Sequence, residues 1–399
     1  MKKISLLLIT VFLFIISGCQ DPIFEAIRED VEPEEATVSG NISSITRYTA
    51  GGTEYLVLSA DGGLRYKNKD SNHHDAWHSY GVPFSLHSYD FDSSSHTGRQ
   101  ILTVLADSTT LYLITAEYSH TTTEGLSYPS DIELWAKNIT GNGKRFLKEG
   151  NWTKIDTETN LFPTHVDSDT NFYKSDFNVF QTNSPIQAHR AAFICTHKSD
   201  GYHYYRLNGL SAPVEFTITD LIDPSYSSEP HARSAAYFNG QVRFFAAPAA
   251  TTNETYQTEA TYCYYTNGDT RIYFTDGDFI FDNEHYTTGG INHKISALAT
   301  TADSILVGYG NPSNGGSGGI DRVKLFDGRP NDTTSSFKTN AQFQITSNYM
   351  VLALVNATPE QIETESSLYA SITFAGTNYN FDSVGLWSYY PKRGNWNRE

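Results

Sequence analysis

The chain has 399 residues, and its 45 Asp and Glu residues outnumber its 28 Lys and Arg residues, giving a formal net charge of −17 at pH 7. Such an acidic protein repels nucleic-acid phosphates, so DNA and RNA are not expected partners. Aromatic residues are abundant, with 26 Tyr and 23 Phe, which is typical of pleated sheet surfaces. Composition therefore favours an acidic, β-rich protein.

The N-terminus has the three regions of an export signal in the expected order. Residues 1–3 are positively charged, residues 4–16 are apolar, and residues 17–19 form a small-residue site that ends in cysteine. The apolar run is shorter than the roughly 20 residues of a membrane-spanning helix. The segment resembles a bacterial lipoprotein signal, which implies that residues 1–18 are removed and that the Cys19 thiol is acylated. The alternative is an ordinary signal peptide in which Cys19 falls by chance.

If Cys19 carries the lipid, the protein contacts a bacterial membrane through that lipid and lies in the cell envelope, facing either the periplasm or the outside. Residues 19–37 then form a tether. Between positions 20 and 37 this segment has seven acidic residues and a single basic one, Arg28. Like charges in a short segment resist collapse, so we predict an extended linker. Its short apolar cluster, Ile23, Phe24 and Ile27, favours a local contact with the domain over a partner-binding motif.

From residue 38 onward, short strand-like segments repeat in groups of four. The first group covers residues 44–48, 54–60, 64–67 and 76–80. One position in each third segment recurs at intervals of 71, 69, 60, 59 and 64 residues: Leu64, Trp135, Tyr204, Tyr264, Val323 and Trp387. Radial repetition of four short antiparallel strands is the arrangement of propeller blades. The sequence therefore predicts an all-β domain over residues 38–399, a six-bladed β-propeller with four-stranded antiparallel blades. Five blades with an appendage, seven blades and a jelly roll are the alternatives.

A turn in the first group is the most sharply specified local element. Residues 59–66 resemble the Asp-box of sialidases and related propellers, with Tyr66 where tryptophan is usual. The Asp-box is a structural turn, in which Asp caps backbone amides and glycine takes a positive φ. It supports the fold and not catalysis, because no counterpart of the sialidase arginine triad or tyrosine nucleophile can be aligned.

The signal, the tether and two related motifs, residues 63–66 and 385–389, together resemble spirochaetal lipoproteins that carry a β-propeller domain and have no assigned role. The resemblance covers most of the chain. It implies a location and a fold, and it implies no substrate.

One histidine-rich segment could in principle hold a metal ion. His73, His74 and His78 lie close to Asp75, and two of these histidines could meet a metal if the segment folded back. A polar turn between two strands is the preferred interpretation, because no partner cluster accompanies it.

Two other segments resemble known ion-binding or phosphate-binding loops only in part. Residues 167–171 begin like a calcium loop, but Phe172 and Asn178 replace the glycine and the acidic residue that such a loop needs. The glycine-rich residues 315–319 are followed by no lysine and no helix, which favours a flexible loop. We therefore predict no metal and no cofactor.

Cys195 and Cys263 are the other cysteines of the chain. Export would permit a disulfide between them. They fall on strands of different rank in neighbouring repeats, where Cα separations often exceed the bridging limit, so the sequence leaves their pairing open.

Two functional classes fit these patterns. The first is a module that binds a protein or a glycan through the loop-lined face of the propeller. The second is a carbohydrate-active enzyme, sialidase-like or another glycan hydrolase or lyase, with carboxylates from several blades meeting at the central funnel. Binding is favoured, because fold alone does not fix function. The sequence assigns no catalytic or ligand-binding residue.

Overall fold

A computed structural model describes most of the strand-forming part of the chain. The described residues are 38, 42–60, 63–68, 77–84, 99–120, 127–139, 152–155, 161–162, 177–182, 184, 186–198, 201–216, 231–238, 241–247, 263–267, 270–274, 294–300, 304–310, 319–326, 329–334, 349–356, 368–374, 385–390 and 395–399. This part of the chain contains no helix with the length and apolarity of a membrane span.

Within these ranges the backbone forms 24 strands and one turn of 3-10 helix, Gln187–His189. The strands are β1 (Ile42–Ala50), β2 (Thr53–Ala60), β3 (Gly63–Asn68), β4 (His78–Ser79), β5 (Arg99–Ala106), β6 (Thr110–His120), β7 (Ser127–Asn138), β8 (Thr153–Ile155), β9 (Phe177–Gln181), β10 (Ala192–Lys198), β11 (Gly201–Asn208), β12 (Ser211–Phe216), β13 (His231–Phe238), β14 (Gln241–Ala247), β15 (Cys263–Asn267), β16 (Thr270–Phe274), β17 (Lys294–Thr300), β18 (Ser304–Gly310), β19 (Gly319–Phe326), β20 (Arg329–Thr334), β21 (Tyr349–Asn356), β22 (Leu368–Phe374), β23 (Gly385–Tyr390) and β24 (Asn395–Arg398).

Consecutive strands pair antiparallel in groups of four, as in the blades of a propeller. The first sixteen strands form four separate sheets, β1 to β4, β5 to β8, β9 to β12 and β13 to β16. The last eight strands form one sheet, joined where Gly310 of β18 pairs with Met350 of β21. The prediction of an all-β, propeller-like array of four-stranded antiparallel blades is therefore confirmed. In the described residues four of the six predicted blades are separate four-stranded sheets, and the last eight strands form one sheet.

A close approach of β18 to β21 accompanies the joining of the last eight strands. A Cβ atom at Gly308 of β18 would lie 2.6 Å from the Cγ1 atom of Val351 in β21. That distance is closer than real Cβ atoms come, so only glycine lets these strands lie so near each other. The sequence pattern marked the strands but gave no sign of this contact.

The first strands of the first two sheets lie side by side and run in the same direction. The Ser43 hydroxyl donates to the Leu102 carbonyl at 2.8 Å, and the Ser44 hydroxyl accepts from the Val104 amide at 2.7 Å. We call the face at which β1 and β5 begin the start face, and the face at which they end the end face.

Apolar side chains fill the spaces between neighbouring sheets. Alternation along β6 sends Leu111 and Leu113 toward the first sheet, and sends Tyr112 and Ile114 toward the third. A third cluster joins the first and last sheets. Each fully buried aliphatic side chain contributes about 1.5–3 kcal/mol, so these interfaces hold the sheets together.

The two ends of the described domain meet beside the first sheet. The Val38 amide donates to the Glu399 carbonyl at 3.3 Å, and the Glu399 amide donates to the Leu386 carbonyl at 2.9 Å. The buried Glu399 carboxylate accepts from Lys67 Nζ at 2.7 Å and from Trp77 Nε1 at 3.1 Å. Residue 399 therefore links the last four strands to the first four.

Candidate functional site

Several residues singled out from the sequence lie outside the described part of the chain. These are Cys19 and the tether, His73, His74, Asp75, residues 167–171, and residues 315–318. Lipidation of Cys19 and the domain boundaries at residues 18 and 37 stay predictions. Among the described residues, no group of three or more His, Cys, Asp and Glu side chains is arranged to hold a metal ion.

The remaining predicted residues are scattered. His78 is exposed on β4 and its ring packs on Tyr66, with centroids 5.4 Å apart. Cys195 is buried in β10. Gly63 opens β3, opposite Ala60 of β2, which agrees with the predicted hairpin. None of these positions lies beside another predicted site residue.

Sequence reasoning missed a charged cluster at the start face of the second sheet. Its centre is Arg99, the first residue of β5, whose side chain is only 10% exposed. Arg99 Nη1 lies 2.8 Å from Asp131 Oδ2 and 3.4 Å from Glu117 Oε1. Arg99 Nε lies 3.0 Å from Glu133 Oε2. The cluster is completed by Lys154 of β8, which pairs with the other oxygen of Glu133. We call these five residues the rim cluster.

The carboxylates of the rim cluster differ in exposure. Glu133 is 9% exposed, whereas the side chains of Glu117 and Asp131 are 54% and 61% exposed. The buried arginine therefore holds two carboxylates that remain open to solvent. Carboxylate oxygens that already meet a fixed guanidinium keep lone pairs for a further donor, such as a hydroxyl or an ammonium group.

A backbone irregularity places Asp131 in this position. In the pairing of β6 with β7, the register shifts between Thr115 and Glu117, so that β7 carries one extra residue. Asp131 lies at this bulge with φ of 45°, a left-handed conformation that residues other than glycine seldom adopt. Arg99 donates both to the carboxylate and to the backbone carbonyl of Asp131, which stabilises this conformation.

Aromatic side chains border the rim cluster. Trp135 Nε1 donates to Glu133 Oε2 at 2.9 Å, and the ring of Phe84 lies against Trp135 with centroids 5.7 Å apart. Both rings are half-buried. The second sheet therefore presents ring surfaces and exposed carboxylates next to each other on the start face.

A second charged group lies near the end face and is almost entirely buried. Arg47 Nε and Arg190 Nη2 contact the same oxygen of Glu54 at 2.7 and 2.8 Å, and Arg190 Nη1 donates to the Arg47 carbonyl at 2.9 Å. Burial lowers the pKa of Arg190 to about 10, and the neighbouring Arg47 charge acts in the same direction. Burial also lowers the pKa of Arg47, while Glu54 opposes that change. These arginines bond to protein groups in the interior, so we assign them to the scaffold.

Comparison with known proteins assigns the chain to no family. No family profile and no curated protein matches the chain. Similar solved structures include a puromycin hydrolase mutant, with 11% identity and a TM-score of 0.41 over 92% of this chain and 47% of that one. An ancestral GH74 enzyme has 10% identity and a TM-score of 0.46 over 88% of this chain and 42% of that one. A ulvan lyase has 8% identity and a TM-score of 0.40 over 90% and 96%.

The chain spans less than half the length of the first two of these proteins. The TM-scores are all below 0.5, and the chemistry of these enzymes does not transfer to this chain. Function has to be argued from the residues of this chain.

Proposed function

We propose that the protein is a lipid-anchored, extracytoplasmic β-propeller that binds a glycan or a protein, with the rim cluster as the contact site. The observation that carries the proposal is the pair of exposed carboxylates, Glu117 and Asp131, fixed by buried Arg99 beside the half-buried ring of Trp135. Sugar hydroxyls donate to carboxylates and sugar rings stack on aromatic faces. A glycan is therefore the first ligand to test, and a protein the second.

The proposal includes the number of blades in the propeller. We interpret the eight-stranded sheet as two blades joined at one residue pair, which gives six blades in all. The first strands of successive groups of four contact each other in the order β1, β5, β9, β13, β17 and β21, and β21 contacts β1. Such a cycle is what a closed six-bladed ring requires, and closure leaves only short exposed edges.

A glycan array and a pulldown with the detergent-solubilised full chain test the binding function. We expect E117Q/D131N to weaken binding at least tenfold, because amides cannot replace two charged acceptors. The matched control is Glu215→Gln, since Glu215 is 55% exposed on the third sheet and lies outside the rim cluster. Equal loss in both variants, or unchanged binding in E117Q/D131N, would remove the rim cluster from the site.

One observation favours a carbohydrate-active enzyme as the second candidate. Glu117 and Asp131 reach the same guanidinium nitrogen, so two carboxylates lie close together at an exposed edge. Paired carboxylates are the groups that glycoside cleavage uses. Incubating the protein with each glycan that it binds, and measuring new reducing ends or unsaturated products, separates the two functions. Turnover that E117Q/D131N abolishes would establish the enzyme.

The lipid anchor is tested separately. If Cys19 is acylated, Cys19→Ala removes metabolic labelling by fatty acids and moves the protein from the detergent phase to the aqueous phase. Each buried methylene contributes about 0.8 kcal/mol, so loss of the acyl chains should change the partition completely. Continued acylation of the Cys19→Ala variant, or no acylation of the unmodified protein, would contradict lipidation of Cys19.

A further inference from the structure

The connection between β9 and β10 reaches the first sheet through two glutamine side chains. Gln187 Oε1 accepts from the Thr49 amide at 2.7 Å, and Gln187 Nε2 donates to the Thr49 carbonyl at 3.3 Å. Gln181 accepts from the Thr46 hydroxyl at 2.8 Å and donates to the Ile45 carbonyl at 3.2 Å. Both side chains therefore bond to β1, the first strand of the first sheet.

The same connection also contacts the second and fourth sheets. Gln181 accepts from the Ala106 amide at the end of β5, and Gln187 donates to the Ser108 carbonyl at 2.9 Å. Thr182 pairs with Ala235 of β13. The ring of His189 stacks on Tyr237 of β13, with centroids 3.7 Å apart.

These contacts span the ring of first strands. Strands β5 and β9 lie between β1 and β13, because β1 contacts β5, β5 contacts β9, and β9 contacts β13. A short segment that bonds to both β1 and β13 must pass across the interior of that ring. It does so at the end face, where β1, β5 and β9 end at Ala50, Ala106 and Gln181.

We propose that residues 181–182, 184 and 186–190 form a crossbar that closes the axis at the end face, so that a ligand reaches the axis only from the start face. The inference rests on the proposed binding function, and it specifies the face that the ligand approaches. The rim cluster lies on that same face, because Arg99 is the first residue of β5. Glutamine suits the crossbar, since its side-chain amide both donates and accepts hydrogen bonds. It therefore pairs with backbone groups that would otherwise need a hydrogen-bond partner from a neighbouring strand.

Cysteines introduced one at a time into a Cys195→Ser/Cys263→Ser background, each carrying a 5 kDa polyethylene glycol, test the direction of access on the full chain. Ile186→Cys places the polymer on the exposed crossbar, and Pro83→Cys places it in the exposed segment that leads to the start face. The probes are the array glycans that the unmodified protein binds. We expect the polymer at Pro83→Cys to weaken binding at least tenfold, and the polymer at Ile186→Cys to change it less than twofold. The reverse pattern would overturn the inference.

Amide hydrogen exchange tests the crossbar without any ligand, so its result is independent of the binding proposal. In the native protein the amides of Thr49 and Ala106 should exchange slowly, since each has a crossbar glutamine as its acceptor. Gln187→Ala should speed exchange at Thr49 at least tenfold and leave Ala106 protected. Exchange at both amides at the rate of an exposed turn in the native protein would show that the end face is open. An absence of glycan binding with slow exchange would overturn the ligand class and leave the crossbar supported.

Discussion

Two lysines at equivalent positions of the first and second sheets lie in matching cages and meet different partners. Lys67 and Lys137 each follow a buried leucine by three residues, on β3 and β7. Lys67 Nζ lies 5.7 Å from the ring centre of Trp77, and Lys137 Nζ lies 5.5 Å from that of Trp152. Each tryptophan directly precedes the fourth strand of its sheet.

The two sites differ in the residue that the neighbouring sheet supplies. The last sheet supplies Glu399 to Lys67, and the first sheet supplies Tyr80 to Lys137. Lys67 pairs with the Glu399 carboxylate at 2.7 Å, whereas Lys137 lies over the Tyr80 ring, 5.1 Å from its centre. Glu399 and Tyr80 occupy equivalent places, because each directly follows a fourth strand and donates its amide to a leucine carbonyl of the third strand. Exchange of a phenol for a carboxylate thus turns an aromatic cage into a buried ion pair.

The pKa values reflect this difference. Burial lowers the pKa of the Lys137 ammonium to about 8. Burial raises the pKa of the Glu399 carboxyl, while the Lys67 charge acts in the opposite direction. A buried ion pair is costly to break, whereas a buried ammonium over aromatic rings is costly to keep. The two lysines should therefore respond to the same substitution with opposite signs.

The largest effect should come from Lys67→Met. The variant leaves the Glu399 carboxylate buried without its cation, so we expect a loss of about 3–5 kcal/mol in the free energy of unfolding. Urea denaturation at pH 7 measures the change. The double variant K67M/E399Q serves as the control and should recover a large part of the loss, because it removes the uncompensated charge. Equal stability of Lys67→Met and the unmodified protein would contradict the buried ion pair.

Lys137→Met should act in the other direction. At pH 7 the folded protein holds the Lys137 ammonium in a poorly solvated site, so we expect the variant to be more stable by about 1–3 kcal/mol. The stability of the unmodified protein should rise between pH 8 and pH 10.5, because the unfolded state then binds more protons than the folded state. The gain from Lys137→Met should therefore shrink across this window. A gain that stays constant from pH 7 to pH 10.5 would assign it to packing.

The smallest contrast should come from replacing each tryptophan by phenylalanine. Trp77 Nε1 donates to the Glu399 carboxylate at 3.1 Å, and Trp152 Nε1 donates to the Gly81 carbonyl at 3.1 Å. Bonds to charged acceptors contribute about 1.5–3 kcal/mol and bonds to neutral ones about 0.5–1.5 kcal/mol. Thermal denaturation should show the larger loss for Trp77→Phe. Equal losses of stability in the two variants would mean that the Glu399 carboxylate and the Gly81 carbonyl contribute equally as acceptors.

The strands were predictable because each carries a local signature. The predicted segment 54–60 lies within β2 and the predicted segment 64–67 lies within β3, since short apolar or alternating runs bounded by turn residues describe a strand without reference to the rest of the chain. The merging of the last eight strands was not predictable, because it is made by the pairing of Gly310 with Met350, which are 40 positions apart in the sequence.

The rim cluster escaped sequence reasoning for a similar reason. Arg99 and Asp131 are separated by 32 positions, and no motif spacing relates them. The bulge that turns Asp131 toward Arg99 depends on the register of β6 and β7, which sequence alone does not fix. The histidine-rich and glycine-rich segments stand out by composition alone. Composition does not report which side chains meet in the folded protein.

The hydrogen bond between the Val38 amide and the Glu399 carbonyl has a practical consequence for protein engineering. Val38 and Glu399 are close enough for a short peptide to join them, so residues 38–399 are suited to circular permutation. New termini fit the turn at Gly209 and Leu210 between β11 and β12, where Leu210 is exposed. A permuted domain would keep every strand while moving both termini away from the junction that Glu399 now closes.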